Sequence, residues 1–136
     1  MDANEMRWRF ASASVARLGT VRPDGRPHLV PVCFALDGDV VVSVVDDKPK
    51  RSTRLRRFDN VRANPAVSLL VDHYNDDWTQ LWWVRVDGTA RVLEAGTEHA
   101  HAIDLLVAKY AQYRALRPAG SVLVIAVEAW RVWSAR

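Results

Sequence analysis

Cysteine is nearly absent from this sequence: Cys33 is the only one among 136 residues. A single cysteine excludes an internal disulfide and is typical of proteins from the reducing cytoplasm. Because Cys33 stands in an apolar stretch, we expect a small buried hydrophobe rather than a nucleophile. No apolar run approaches the ~20 residues of a membrane span, and Met1–Glu5 lacks the pattern of a secretory signal. These absences predict a soluble, cytoplasmic protein with no membrane partner.

Familiar catalytic motifs are missing as well. Neither G-x-S-x-G nor H-E-x-x-H occurs, and a single cysteine offers no zinc pair. His99 and His101 are two residues apart on a predicted helix, so they do not share a face as metal ligands would. His28 and His73 stand at a strand start and a strand end, where a structural role competes with a catalytic one. We therefore expect no metal site, and the sequence leaves the catalytic residues undetermined.

Charge is nearly balanced over the whole chain, with 19 Lys and Arg against 16 Asp and Glu. The resulting net charge of +3 gives no global field that would attract nucleic acid, so we expect no such partner. The chain is 49% hydrophobic and 26% charged, as ordinary globular proteins are. Its length suits one domain with a real core, which we place over residues 1–136.

Positive charge is concentrated in one stretch, residues 48–62, which holds seven basic residues and a single acid. Apolar runs flank it, so it reads as a short helix between two strands. Helical spacing places Lys50, Arg54 and Arg57 on one face. Two interpretations remain open: a cradle for an anion at a helix start, or a solvated basic face that binds nothing.

The remaining pattern is mainly β. Short turns, such as Asp37–Gly38–Asp39, separate apolar runs in the first half of the chain, which predicts an antiparallel meander of three strands. The fourth run, 66–73, lacks clear alternation and suggests a strand buried on both faces. A six-stranded antiparallel barrel with inserted helices, mainly β in the α+β class, accounts for the pattern. The predicted strands are 14–22, 27–36, 40–45, 66–73, 78–94 and 122–133; the other predicted helices are 2–12 and 97–116, the latter capped by Thr97.

Tryptophan is abundant, with six residues. Trp82 and Trp83 are adjacent on one predicted strand, so one ring should fill the barrel while the other lies outside. Trp78 follows an acidic loop, where an exposed indole suits either a subunit interface or a ring-shaped ligand. Gly88 in the same strand suggests a bend or a bulge.

Several motifs together resemble a known family. Residues 16–32, ARLGTVRPDGRPHLVPV, are similar to the opening hairpin of the split β-barrel flavin and deazaflavin oxidoreductases, which are relatives of pyridoxamine 5′-phosphate oxidase. The stretch from Lys50 to Leu69 resembles the basic helix and following strand of that family. With Asp72–Tyr74 and residues 81–88, LWWVRVDG, the chain resembles the branch of coenzyme F420-dependent enzymes. The likeness covers roughly residues 10–133.

This resemblance implies an FMN-binding split-barrel fold and a homodimer with two cofactor sites at the subunit interface. By position, it implies that the cofactor ring lies against strands two and three and that the tail meets the basic helix. The partner subunit would contribute the loop before the long strand. The implied ring contacts are Pro31, Val32, Ser43 and Val44; the implied tail contacts are Lys50, Arg51, Ser52, Arg54 and Arg57, with Asn60 behind them; the partner's contribution would be Trp78 and Gln80.

The resulting functional hypothesis is an F420H2-dependent oxidoreductase that transfers a hydride to a conjugated or quinone-like small molecule. An FMN-binding oxidase or flavin reductase of the same fold is the first alternative. A cofactor-binding protein without turnover is the second, and nucleic-acid binding through residues 48–62 is a distant third. Several cations in one stretch favour the longer anionic tail of F420 over the single phosphate of FMN.

Overall fold

A computed structural model describes residues 1–44 and 56–135. Within these ranges one antiparallel sheet of seven strands is accompanied by four helices. A single 3₁₀ turn at Trp78–Gln80 precedes the sixth strand. The elements are α1 (Ala3–Ser12), β1 (Ala16–Val21), β2 (Pro27–Val32), β3 (Ala35–Asp37), β4 (Val40–Val44), α2 (Arg56–Ala63), β5 (Ala66–His73), β6 (Trp82–Leu93), α3 (Thr97–Lys109), α4 (Ala111–Ala115) and β7 (Val122–Ser134).

The sheet is strongly curled, and its two edges approach each other at one point. Its strand order is β2-β1-β5-β6-β7-β4-β3, so β2 and β3 form its two opposite edges. Only Cys33 and Phe34 separate these edge strands in the sequence. Three virtual bonds between Cα atoms span at most ~11 Å, so the sheet must curl until the end of β2 lies near the start of β3. We call residues Cys33 and Phe34 the edge link, because they join the two margins of the barrel.

The prediction of six strands with an opening meander is wrong at this link. The predicted strand 27–36 is two strands, of which β2 pairs with β1 and β3 pairs with β4. Phe34 and Ala35 are consecutive and both buried, but they belong to different apolar clusters. Consecutive strand residues also face opposite sides of a sheet, so the break shows instead in the pairing partner, which changes from β1 to β4. The predicted hairpin at Asp37–Gly38–Asp39 is confirmed.

Strand β5 has the predicted bounds, but the expectation that both its faces are buried is wrong. Val67, Leu69 and Val71 are buried, whereas the residues between them are only partly covered. The strand therefore has one interior face and one outer face, as most antiparallel strands do. We call the exterior of β2, β1, β5 and β6 the outer sheet face, and the outer face of β5 is part of it.

Two apolar clusters hold the fold. The first fills the barrel, and α1 contributes Met6 and Phe10 to it. The Phe10 ring lies 5.0 Å from Phe34 and 5.4 Å from Trp130, centre to centre. The second cluster packs α3 against the outside of β3, β4 and β7, with Ile103 and Leu106 at its centre. Trp82 packs against the barrel cluster while Trp83 faces outward, as predicted.

Gly88 marks a bulge in β6, which confirms that prediction. The register with β7 shifts between Asp87 and Gly88. A Cβ atom at Gly88 would lie 2.3 Å from the carbonyl oxygen of Ala126, closer than any real contact. Glycine is thus required because the neighbouring backbone occupies the space of a side chain.

The predicted helix 97–116 is two helices, broken at Tyr110, whose backbone is extended (φ −113°, ψ 122°). Its N-cap is Gly96, with φ 103°, rather than Thr97, and no side chain caps it. A φ of this sign favours glycine over residues with a Cβ. In the part of the chain that the structure describes, no helix has the length and apolarity needed to cross a membrane.

Candidate functional site

A cavity of about 260 Å³ lies at the seam of the barrel, where the end of β2 meets the end of β4. We call it the seam cavity. Its lining combines aliphatic side chains with a thiol, a hydroxyl, a phenol and a guanidinium. The lining residues are Val15, Pro31, Val32, Cys33, Ser43, Val44, Arg57 and Tyr113.

The sequence builds this cavity because β2 is an edge strand. Pro27 and Pro31 lack backbone N–H groups, and proline is tolerated in sheets mainly at an edge. The chain then leaves β2 through the edge link, so the strand turns away beside β4. The Ser43 hydroxyl of β4 donates a 2.7 Å hydrogen bond to the carbonyl oxygen of Cys33 and ties the two sides together.

Five of the twelve predicted site residues line this one cavity. Four of them come from the strands, and Arg57 comes from α2. Four further predicted residues fall outside the described ranges, so their positions stay predictions. The five lining residues are Pro31, Val32, Ser43, Val44 and Arg57; the four outside are Lys50, Arg51, Ser52 and Arg54.

The side of the cavity that faces α2 is electropositive. The Arg57 guanidinium carbon lies 5.6 Å from the centre of the Phe58 ring, which packs into the barrel cluster. Partial burial lowers the pKa of His28, and the charges of Arg56, Arg22 and Arg57 lower it further. Of these three cations Arg57 lines the cavity, and its guanidinium suits a phosphate or a carboxylate.

Asn60 does not reach the cavity. Its side chain is fully buried, and its amide nitrogen donates a 3.0 Å hydrogen bond to the Thr20 hydroxyl of β1. Its amide oxygen is also buried and has no hydrogen-bond partner among the described residues. In this position Asn60 connects α2 to β1 of the barrel. The structure gives it no direct path to a ligand in the seam cavity.

Trp78 and Gln80 lie elsewhere on the same chain. Trp78 is 77% exposed, and Gln80 lines a separate cavity of about 340 Å³ together with Arg9, His73 and Trp82. Asn75 connects this second group by donating to Gln80 and contacting the His73 ring, each at 3.2 Å. Within one chain, neither predicted residue joins the seam cavity.

Sequence reasoning missed Cys33 as a cavity residue. The expectation of a buried strand residue is wrong, because Cys33 is half-buried and lies in the edge link. It also missed Val15 and Tyr113, which reach the cavity from a loop and from α4. No local pattern marks either residue, since their positions depend on how the barrel closes.

A larger depression of about 360 Å³ lies on the outer sheet face, the exterior of β2, β1, β5 and β6. Gly19 leaves room at its centre, and Leu29, Trp83 and Tyr74 stand around it. Arg17 pairs in register with both Pro31 and Leu70, so this face continues directly to the seam cavity.

The described ranges contain no candidate metal site. Across residues 1–44 and 56–135, no three His, Cys, Asp or Glu side chains gather closely enough to hold an ion. His99 contacts the Gly120 carbonyl oxygen at 2.8 Å, and His101 contacts Asp37 at 3.2 Å, so the two rings point to different partners.

Comparisons with solved structures identify the fold. A conserved hypothetical protein from Mycobacterium tuberculosis aligns with a TM-score of 0.79 at 20% identity, covering 100% of this chain and 86% of that one. An FAD-binding protein from Mesorhizobium loti aligns at 0.71 and 23% identity, covering 97% and 94%. A heme binding protein from Mycobacterium smegmatis aligns at 0.73 and 24% identity, covering 95% and 52%. Identities this low establish the architecture alone.

A comparison of the sequence with family profiles identifies the family. No curated protein matches the chain. The profile of the family described as pyridoxamine 5′-phosphate oxidase matches residues 3–134, which is nearly the whole sequence. The curled seven-stranded sheet is the split barrel expected of that family, and the chain belongs to the pyridoxamine 5′-phosphate oxidase family.

Proposed function

We propose that this protein is an F420H2-dependent oxidoreductase whose seam cavity holds the deazaflavin ring. The observation that carries the proposal is the convergence of Pro31, Val32, Ser43, Val44 and Arg57 on one cavity. The acceptor would be a conjugated or quinone-like small molecule.

The lining matches a planar ring with an anionic tail. Val32 and Val44 offer apolar surface to a ring. The Ser43 hydroxyl oxygen, as an acceptor, and nearby backbone offer hydrogen bonds at its edge. Arg57 stands where the tail would leave the cavity, and guanidinium groups bind phosphate oxygens in pairs. The stretch 48–62 carries seven basic residues, and a tail with a phosphodiester and several carboxylates uses more of them than one phosphate does.

When bound along the lining of the seam cavity, the reduced coenzyme would supply the hydride for the acceptor. The protein's own part is then to place the two reactants in contact and to keep water from the cavity. This requirement fits a site whose described lining residues include hydrogen-bonding and cationic groups but no paired acid and base.

A flavin-dependent activity is the second candidate, because the chain belongs to the pyridoxamine 5′-phosphate oxidase family and one structural neighbour is an FAD-binding protein. A third candidate is a cofactor-binding protein without turnover, since another neighbour is a heme binding protein. These candidates share the fold and differ in the ligand of the cavity.

Titration distinguishes them. Purified protein is titrated with F420, FMN and heme while tryptophan emission is followed. Saturable quenching by F420, with weaker or no response to FMN, is the expected result. Tight FMN binding without a response to F420 reverses the ranking, and saturation by heme alone favours the non-catalytic candidate.

Arg57→Met tests the cavity itself, with Arg62→Met as the matched control on the same helix. Arg62 is exposed and pairs with Glu94 at 2.9 Å, away from the cavity. Loss of one charged contact to the tail should weaken F420 about tenfold or more in the first variant only. Equal affinities in the two variants contradict the assignment of the seam cavity.

We also propose that the outer sheet face binds a second copy of the chain. Leu29 is 68% exposed and the cross-strand pair Trp83 and Trp133 is only partly covered, which is unusual for a free surface. Because this face continues to Pro31, a partner there would stand beside the seam cavity and bring its own loop near the ligand. Exposed Trp78 and Gln80 are the residues we propose it contributes.

The dimer is tested by sedimentation of Leu29→Glu against Leu116→Glu. Both leucines are about equally exposed, but Leu116 lies beyond α4, off the outer sheet face. The first variant should be monomeric and the second dimeric, since a buried charge opposes association. A wild-type monomer at high concentration refutes this part while leaving the cavity assignment open to titration.

A further inference from the structure

The end of α3 holds the edge link in place through two consecutive residues. Lys109 is the last residue of α3, and Tyr110 separates it from α4. Both side chains reach Phe34, more than 70 positions earlier in the sequence. The helical region therefore adds contacts to the link beyond the one that Ser43 of β4 supplies.

Lys109 binds backbone rather than a carboxylate. Its amine donates to the carbonyl oxygens of Ala13 at 2.7 Å and Phe34 at 2.9 Å. The amine nitrogen also lies 3.8 Å from the centre of the Phe34 ring, within range of a cation–π contact. Half-burial lowers the pKa of Lys109 to about 8. A neutral amine keeps two N–H donors, which is the number of carbonyls it serves, so the brace persists in both charge states.

Tyr110 completes the brace. Its hydroxyl accepts a 3.0 Å hydrogen bond from the Phe34 backbone N–H. The same hydroxyl lies 2.8 Å from the Ser14 carbonyl oxygen and 3.0 Å from that of Phe34, so its single proton serves one of them at a time. The backbone of Phe34 is thus held at its N–H by Tyr110 and at its carbonyl oxygen by Lys109.

The edge link is also a wall of the seam cavity. Cys33 lines the cavity directly, and its carbonyl oxygen accepts the bond from Ser43 on the opposite side. A shift of the Phe34 peptide would move Cys33 with it, because the two residues are consecutive. The position of the wall thus depends on residues that do not themselves line the cavity.

We propose that Lys109 and Tyr110 are positioning residues that fix the edge link and thereby set the width of the seam cavity. The consequence for width stands on the geometry alone. The consequence for cofactor affinity rests on the proposed function of that cavity.

Size-selective labelling measures the width without any cofactor. Cys33 is the only cysteine of the chain, so maleimides report on this wall alone. The rate constant for N-ethylmaleimide is divided by that for the bulky N-pyrenylmaleimide. Both reagents react with the same thiolate, so the ratio cancels any change in the thiolate fraction.

Lys109→Met and Tyr110→Phe are compared with Arg114→Met. Arg114 also donates to two backbone carbonyls of α3, those of Val107 and Ala108, but it does not touch the link. We expect both brace variants to lower the ratio by about fivefold or more, because a loosened wall admits the bulky reagent. The control should stay within about twofold of wild type.

Unchanged ratios alongside lowered melting temperatures would overturn the proposal, because they assign the pair a purely structural role. A second measurement needs no variant: hydrogen exchange at the Phe34 amide of the wild-type protein should be slow. Exchange as fast as that of an open loop also overturns it.

Affinity is then measured for whichever of F420 or FMN binds the wild-type protein, and both brace variants should weaken it about fivefold or more. If the labelling ratio changes but cofactor affinity does not, the width of the cavity does not control binding. If neither cofactor binds wild type, the proposed function fails while the labelling ratio still decides the positioning role.

Discussion

The Ser43 hydroxyl donates a 2.7 Å hydrogen bond to the carbonyl oxygen of Cys33 across the seam of the barrel. Ser43 is almost fully buried in β4, and Cys33 belongs to the edge link. The two residues are ten positions apart, and β3 intervenes between them. This bond therefore connects the margin of the sheet that carries β3 and β4 to the chain leaving β2.

Ser43→Ala should destabilise the protein by about 1 kcal/mol, because a carbonyl at the seam loses its donor. Urea unfolding measures the change. Ser121→Ala is the control, since the Ser121 hydroxyl bonds to the exposed Glu94 carboxylate. Its cost should stay within about 0.5 kcal/mol. Equal costs in the two variants would mean that the seam bond contributes no more than a surface contact.

Gly88→Ala should be far more costly than Gly19→Ala, although both glycines lie in strands. A Cβ at Gly88 would stand 2.3 Å from the Ala126 carbonyl oxygen, whereas at Gly19 its nearest neighbour is 3.8 Å away. Backbone cannot yield as a flexible side chain does, so we expect about 2–4 kcal/mol of destabilisation for Gly88→Ala. Gly19→Ala should be close to neutral. Thermal unfolding of the two variants decides, and similar melting temperatures would contradict the bulge geometry.

Turn residues and apolar runs predicted those elements of the fold that depend on neighbouring residues alone. The hairpin at Asp37–Gly38–Asp39 and the bounds of β5 follow from turn residues and apolar runs. The break at the edge link does not, because neither Cys33 nor Phe34 is a turn former. It is fixed by Tyr110, whose hydroxyl receives the Phe34 N–H from 76 positions away. Periodicity within a window cannot register such a contact.

The candidate site also contains residues that could be predicted from the sequence and residues whose positions depend on the packing of the whole fold. Pro31, Val32, Ser43 and Val44 were predicted from a family resemblance, and all four line one cavity. The same resemblance placed Asn60 behind the predicted basic contacts. The structure buries Asn60 against Thr20, 40 positions upstream. Burial of that kind depends on the packing of α2 against β1, which the helix sequence alone does not encode.

Asn60 and Thr20 should behave as a coupled pair. Asn60→Leu removes the donor and leaves the buried Thr20 hydroxyl without that partner, at a cost of about 1–3 kcal/mol. Adding Thr20→Val to this variant should recover part of the loss, since both polar groups are then gone. Chemical denaturation of the four proteins in the cycle gives the coupling energy. Strictly additive costs would show that the 3.0 Å contact carries no interaction energy.

Lys109 should make stability rise with pH in alkaline solution. Burial lowers its pKa from 10.5 to about 8, so between these values the unfolded chain holds a proton that the folded chain has lost. Stability increases with pH wherever the unfolded state binds more protons. Tyr110 acts oppositely at higher pH: burial raises its pKa to about 12, and its contribution, complete below pH 10, is lost from there to about 12.

The window from pH 8 to 10 therefore isolates Lys109, and Lys109→Met removes its contribution. Urea unfolding across that window should show a rise in the wild-type protein that exceeds the rise in the variant. The difference should be on the order of 1–2 kcal/mol, discounted because the amine is half exposed. Arg114→Met should retain the wild-type slope, since Arg114 does not touch the edge link. Parallel curves for wild type and Lys109→Met would mean that the amine at the edge link remains as well solvated as it is in the unfolded chain.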